Sequence, residues 1–309
     1  MKRYRQYSEY LKGIFGCRVR KLSVDAGFSC PNRDGTLSTG GCAFCDNAAF
    51  HPGYSDASLR ISRQLSRGID FHKARHRAAA AYHAHFQPYS NTHATLDVLR
   101  RRYREALATP QVCGLVLATR PDCIDERKLD MLAEIARDHY VLIEYGVESF
   151  SDRALELCGR GHDSQASLRA IRLTAERGIR TGAHIIFGLP GETRAQMFQG
   201  LTVLNSLPLD TVKFHQLQIL KGSRFEEEYR AEPERFDLFS EGEYLEFLLE
   251  ALRRLNPDFV PERLFNEVPP RYLVAPIWNA GRGEALYAKL DSMMEEIDAR
   301  QGDFSVLAR

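Results

Sequence analysis

The chain has 309 residues, 44% of them hydrophobic, and a formal net charge of +1. That is ample for a sizeable core, in one large domain or two ordinary ones, and the near-neutral balance gives no bulk reason to expect a nucleic-acid or membrane partner. There is no apolar run long enough for a signal peptide or a bilayer span, so a cytoplasmic location is expected, and seven cysteines in a reducing compartment argue against a disulfide framework.

Taken in chain order, apolar strand-like runs alternate with amphipathic helical patterns. The first strand is predicted near 21–28 and is followed by a cysteine-bearing loop. A helix over 59–69 leads to a second strand, 80–86, ending in Gln87-Pro-Tyr-Ser-Asn-Thr-His93. A helix over 95–107 leads to a third, 113–118, and to Thr119-Arg-Pro-Asp122. A helix over 126–137 leads to a fourth, 140–145, and to Gly146-Val-Glu-Ser149. A helix over 164–176 leads to a fifth, 183–187, and to Gly188-Leu-Pro-Gly-Glu192. The helix over 194–204 has a capping box, with Thr193 at the cap and Gln196 three residues on. It leads to a sixth strand, 211–217, and to Gln218-Ile-Leu-Lys-Gly222.

The strands are mostly non-alternating, as in parallel sheets covered on both faces. Strand–helix alternation implies an α/β fold, and six units are enough for a partial (β/α)6 barrel of the TIM type or for an open doubly wound sheet. The barrel is favoured because the chemically suggestive residues follow strands, and those positions converge on one mouth. After about residue 225 the alternation stops. Helices over 241–255 and 284–297 flank a proline-broken stretch. The expected division is therefore a barrel core over 1–225, including the amino-terminal segment, and a mostly helical extension over 226–309 packed on it and able to close it.

The segment with the strongest chemical signal is Cys30-Pro-Asn-Arg-Asp-Gly-Thr-Leu-Ser-Thr-Gly-Gly-Cys42-Ala-Phe-Cys45. A C-x-x-C pair lets two thiolates reach one metal centre, and Cys30 sits in a loop able to fold back on it. Three readings compete. A redox pair would normally open a helix, which this pair does not. A structural zinc wants four ligands, and His51 is available as the fourth. An iron–sulfur cluster normally takes four cysteines, so three leave one iron open to a substrate or cofactor. The cluster fits the loop best, and zinc stays open on spacing alone. Cys17, Cys113, Cys123 and Cys158 read as ordinary buried thiols.

With these segments in view, the chain resembles the radical S-adenosylmethionine (SAM) superfamily, and within it the YhcC/YtqA-like family. That family is related to the elongator catalytic subunit and to oxygen-independent coproporphyrinogen oxidase. The resemblance runs from Tyr10-Leu-Lys-Gly-Ile-Phe-Gly16 through the cysteine loop, Phe86-Gln-Pro-Tyr-Ser-Asn-Thr92, Thr119-Arg-Pro-Asp122, Glu144-Tyr-Gly-Val-Glu-Ser149 and His184-Ile-Ile-Phe-Gly-Leu-Pro-Gly-Glu192 to Ala275-Pro-Ile-Trp278. The superfamily's usual C-x-x-x-C-x-x-C is widened here at its first gap, a departure the YhcC-like family shares.

The resemblance implies that Cys30, Cys42 and Cys45 ligate three irons of a [4Fe–4S] cluster whose fourth iron takes SAM. One electron then cleaves SAM to a 5′-deoxyadenosyl radical, which abstracts hydrogen from substrate. It also implies an electron donor such as a flavodoxin or ferredoxin. Phe44 resembles the aromatic residue near the adenine, although it would serve equally as a loop anchor. Glu148 stands where relatives place a ribose-binding glutamine, Arg160 where they place the arginine for the SAM carboxylate, and His184 and Gly188 in the fifth-strand motif beside the adenosine. Gln87, Ser90 and Asn91 replace a Gly-Gly-Glu motif for the SAM amino group, and Asn91 is alternatively a helix cap. Arg120, Asp122, His215, Gln216, Gln218 and Lys221 are candidates on the substrate side, or strand-end hydrogen-bonding groups.

Local basic clusters exist in spite of the neutral total: Lys2, Arg3, Arg5, Lys12, Arg18, Arg20 and Lys21; then Arg60, Arg63, Arg67, Lys73, Arg75 and Arg77; then Arg100, Arg101, Arg102 and Arg104. Phosphate binding needs only such a stripe, while solvated helix faces are the commoner use of one. Kinship with the elongator subunit points to tRNA and to modification of a wobble uridine. A small metabolite, a protein substrate, or a non-enzymatic metal-stapled scaffold are the alternatives.

Overall fold

A computed structural model of the chain describes residues 2–45, 52–75, 79–278 and 283–305. His51, the alternative zinc ligand, and Arg77 of the second basic cluster lie outside the described residues. The elements run α1 (Tyr7–Phe15), β1 (Val19–Val24), α2 (Ile61–Ala74), β2 (Ala81–Phe86), α3 (Leu96–Leu107), β3 (Val112–Thr119), α4 (Glu126–Ala136), β4 (Tyr140–Glu148), α5 (Asp152–Leu157), α6 (Ser164–Glu176), β5 (Arg180–Phe187), α7 (Arg194–Asn205) and β6 (Thr211–Gln216). There follow β7 (Ile219–Leu220), α8 (Arg224–Ala231), α9 (Glu241–Arg254), β8 (Val260–Arg263), β9 (Leu273–Ala275) and α10 (Gly283–Glu296).

Seven strands form one parallel sheet in the order β1-β2-β3-β4-β5-β6-β8, the partial barrel expected with one strand more. The seventh comes from the extension, where β8 pairs with β6 in register Thr211↔Val260 and Val212↔Pro261. Pro261 hid this strand from the sequence reading. At a sheet edge its missing N–H leaves no ladder bond unmade. The extension also supplies β9, which pairs antiparallel with β7.

Local chemistry explains where the helices begin. Asp125, Ser151, Asp163, Ser223 and Ser240 each accept a backbone N–H as N-caps, and the Thr193–Gln196 capping box forms as expected. Thr95 makes no such bond at the start of α3, nor does Asn91 cap it. Helix α1, not expected from the sequence, places Leu11 against Val19, Val116, Tyr140 and Leu142 at the amino-terminal end of the barrel. Its left-handed Gly16 stops it, with the Gly16 N–H on the Lys12 carbonyl.

Alternation along each strand divides the residues between two faces. Leu22, Ala84, Leu117, Ile143, Ala183 and Phe214 belong to the large cluster shared with the surrounding helices. Among the described residues, no helix is long and apolar enough to cross a membrane.

Candidate active site

The inner face of the barrel is layered. At the bottom lies the apolar plug that α1 closes. Above it the interior becomes ionic. Glu144 on β4, 1% exposed, is held by Lys21 on β1 at 2.5 Å and Lys213 on β6 at 2.7 Å. Glu262 on β8 meets the same two lysines, at 2.5 and 3.0 Å. The four side chains form a closed ring of alternating charge. Burial pushes the Glu144 carboxyl up, but Lys21 and Lys213, with bonds from His184 and His85, outweigh it and hold the group well below the usual carboxylate range. His85 Nε2 lies 3.2 Å and His184 Nε2 3.3 Å from the same carboxylate oxygen. Burial lowers His85 to about 4, so it is neutral at pH 7. Gly182 makes room for this layer, since a Cβ there would stand 2.5 Å from Thr211 Oγ1 and 3.5 Å from Glu144 Cγ.

Above the ring opens a cavity of about 260 Å³ at the carboxyl ends of the strands. Phe44, Cys45, His215, Gln218, Arg263 and Asn266 border it. Of the other candidates, Gln87, Arg120, Glu148, Arg160, His184 and Gln216 also line it. Asp122 reaches it only through Arg120, whose guanidinium it grips at 2.7 and 2.9 Å. Gly188 has a left-handed φ of 91° and packs towards Phe239, outside the cavity lining. Lys221 is exposed in the turn before α8 and is likewise not part of the lining. Asn91 is fully buried and clamps its loop, its amide donating to the carbonyls of Pro88 (3.0 Å) and Ala118 (2.9 Å). Ser90, also fully buried, bonds Thr119 instead of facing the cavity.

The cysteine loop is built around Asn32. Its amide donates to Gly159 O (2.8 Å), to Arg160 O (3.1 Å) and to Cys42 Sγ (3.3 Å), tying the loop to the segment after α5. Gly41, at φ 78°, sends its N–H back to Asn32 O. Ala43 completes the tie, donating to Cys158 O and accepting from Phe225 N. Two guanidiniums also reach the Cys42 sulfur, Arg160 Nη1 at 3.4 Å and Arg120 Nη1 at 4.0 Å. Burial pushes the Cys30 thiol up, opposed by the Asn32 backbone N–H and by Arg120 and Arg160. Among the described residues, no three His, Cys, Asp or Glu side chains are grouped to hold a metal ion. A four-iron cluster asks for less, because each thiolate takes its own iron and the cysteines need only surround a common space. Three cysteines, one of whose sulfurs already attracts two cations and an amide, fit such an anionic cluster.

Beside the loop, β4 is distorted. Its pairing with β5 shifts register between Gly146 and Glu148, and Glu148 adopts a left-handed φ of 65°. Non-glycine residues hold that conformation only where surroundings impose it, and such strain gathers at functional sites. Here it brings Glu148 to 3.6 Å from Arg160, whose Nη2 also donates to Gly146 O. A Cβ on Gly146 would lie 2.5 Å from the Glu148 carboxylate and 2.9 Å from the guanidinium. Cys158 is fully buried and Cys123 nearly so. Burial pushes both thiols up, Cys123 to about 11, which makes them poor nucleophiles.

The sequence reading missed Asn32, Glu144, His85, Lys213, Arg263 and Asn266. Two of these carried a usable signal: Ile143-Glu144-Tyr145 and Val212-Lys213-Phe214 each put a charge inside an apolar strand, which demands a buried partner. Three of the seven cations in the amino-terminal basic cluster are paired with acids within the fold. Lys2 pairs with Asp291, Arg3 with Asp298, and Lys21 belongs to the ring.

Known proteins bear on this architecture. The radical SAM superfamily model matches residues 35–199, and a radical SAM carboxyl-terminal domain matches 209–295. The uncharacterized protein YtqA of Bacillus subtilis is 32% identical over 306 residues, covering 98% of this chain and 93% of its own. A tRNA uridine(34) acetyltransferase of Methanocaldococcus infernus is 24% identical over 209 residues, covering 63% of this chain but only 38% of its own. Among solved structures, the Methanocaldococcus infernus Elp3 with an amino-terminal deletion superposes with a TM-score of 0.69 at 17% identity, over 92% of this chain and 64% of that one. That similarity is one of fold.

Proposed function

The chain belongs to the radical SAM superfamily, an enzyme family with a [4Fe–4S] cluster and SAM as its cofactors, and on that premise we propose that Cys30, Cys42 and Cys45 hold the cluster and that the adjoining cavity is its reaction chamber. The observation that carries this is the convergence of Asn32, Arg120 and Arg160 on the Cys42 sulfur, next to a cavity that Cys45 and Phe44 border. When bound, the cluster and SAM together supply, for one electron, methionine and a 5′-deoxyadenosyl radical able to take hydrogen from a substrate.

The chain's own residues position and enclose. Phe44 offers a flat face to the adenine. Glu148, turned into the cavity by its strained backbone, accepts from the ribose hydroxyls. Arg160 faces the SAM carboxylate with its Nε–H, which has no other partner, while Nη1 stays on the Cys42 sulfur. Gln87 and His184 border the same space. Asn91 keeps the β2 loop in place through its amide N–H groups, while its buried Oδ1 has no partner.

The test is anaerobic reconstitution with iron and sulfide, followed by reduction in the presence of SAM. Brown absorbance and release of 5′-deoxyadenosine are expected; stoichiometric zinc without SAM cleavage would overturn the reading. For substrate we propose a tRNA wobble-uridine side chain, supported by the partial similarity to tRNA uridine(34) acetyltransferases. Nucleoside mass spectrometry of tRNA from a deletion strain should show one altered modification, and an unchanged profile removes the tRNA reading while leaving the radical chemistry standing.

A further inference from the structure

The charged side chains around the cavity can be matched with their counter-ions. Arg120 holds Asp122 at 2.7 Å, Arg160 faces Glu148 at 3.6 Å, and Lys213 lies between Glu144 and Glu262. Lys21 closes the ring behind them, so ring and pairs are neutral. Arg263, at the end of β8, also lines the cavity. Among the described residues no acidic side chain pairs with it. One positive charge therefore stands in excess in the lining.

Beside Arg263 the polar groups are thinly satisfied. The Gln218 side-chain oxygen is buried without a partner, the His215 and Asn266 side chains have only each other, and all three residues border the cavity. Buried polar atoms left in that state cost free energy that a ligand can recover. Arg263 also acts on its neighbours: burial and then its repulsion hold His215 well below the usual imidazole range, and Lys213 is lowered by burial with Arg263 adding to it. An anion beside Arg263 would relieve that repulsion. The planar guanidinium matches a carboxylate or phosphate through two parallel hydrogen bonds. The Gln218 amide oxygen accepts only, so it requires a hydrogen-bond donor on the ligand.

Building on the proposed reaction chamber, we propose that the wall formed by Arg263, His215, Gln218 and Asn266 is the substrate's anion site. It takes a carboxylate or phosphate carried on a body that presents hydroxyl or N–H groups, and it orients that body towards the bound SAM.

The test is arginine modification by phenylglyoxal on the full-length, cluster-loaded, SAM-bound enzyme, read by mass spectrometry at the peptide containing residue 263. Inorganic phosphate and acetate are the probes. Arg263 should react freely alone and be protected by at least one probe. Protection by phosphate only assigns a phosphate-bearing substrate, and protection by acetate only a carboxylate. Protection by neither overturns the proposal, as does full protection of SAM-free enzyme by SAM alone. Equilibrium dialysis of the protecting probe gives a second readout. Arg263→Gln should weaken binding about tenfold or more and Arg263→Lys less, in proteins whose retained SAM affinity shows that they fold. Unchanged probe affinity in Arg263→Gln also overturns it. If the wild type fails to cleave SAM while protection persists, the radical reading falls and the anion site stands. If SAM is cleaved and neither probe protects, the anion site alone falls.

Discussion

The outer and inner faces of the sheet are made by the same strands, residue by residue in alternation, yet they are held together by different forces. Outward, Leu22, Leu117, Ile143 and Phe214 join one apolar cluster with the helices, where each contact is small and replaceable. Inward, Lys21, Glu144, Lys213 and Glu262 form a ring in which every member needs the others. Adjacent residues on one strand, Ile143 and Glu144, belong to these two regimes. The comparison teaches that a barrel can obtain its general stability from one face and set the conditions of its chemistry with the other. The buried ring fixes the floor of the cavity, and a neutral floor leaves the field inside to Arg263 and to whatever binds above.

The contrast is broken most severely where the inner face meets the chemistry. Cys42→Ala should abolish iron retention and 5′-deoxyadenosine release while circular dichroism shows the fold intact. An active variant would place the cluster elsewhere. Next comes the ring. Glu144→Leu leaves Lys21 and Lys213 buried around a single Glu262 and should destabilise by about 3–5 kcal/mol in urea melts. Adding Lys213→Met leaves the neutral Lys21–Glu262 pair and should recover at least half of that loss. A double variant no better than the single would show that the ring is not one coupled unit.

A smaller effect is expected at Glu192, which accepts from Ser149 at 3.0 Å beside Phe150, Ile185 and Met197. Burial raises its carboxyl to about 7. The folded chain then keeps a proton that the unfolded chain releases, so stability falls as pH rises from about 4.3 to 7 and levels off above. Glu192→Gln should remove that fall and exceed the parent by about 1–2 kcal/mol above pH 7, after allowance for solvent screening. His85, lowered to about 4, loses stability in the opposite direction, as pH falls from about 6.5 to 4, and does so equally in both proteins. The check is the difference between their melting curves from acid to neutral pH; a difference that does not change with pH would refute it. The least effect is expected outward. Ile143→Val should cost only about 0.5–1.5 kcal/mol and leave SAM cleavage unaffected.

Much of the outer architecture was legible because periodicity and caps are local. The helix Ser164–Glu176 and the Thr193–Gln196 box appear as expected, and each of the six anticipated strands is present to within a few residues. The cysteine loop stood out in the sequence because three cysteines in a glycine-rich segment have few uses. The inner face was not legible, because which charges meet depends on strands far apart in sequence. Lys21 and Glu262 are 241 residues apart and touch only once the sheet curls. Asn91 shows how one side chain can be half spent: the backbone carbonyls of Pro88 and Ala118 claim its amide N–H groups, while its buried Oδ1 has no partner.

The ring also has a consequence in time. Lys21, Glu144 and Lys213 are all present once the first 213 residues have been made, whereas Glu262 arrives later, on a strand at the sheet's edge. Until then the nascent interior holds two ammonium groups and one carboxylate, a state that resists closing around itself. Docking of β8 is thus a completion step, and a ribosome-bound chain can assemble its cysteine loop well before it has a chamber in which to use it.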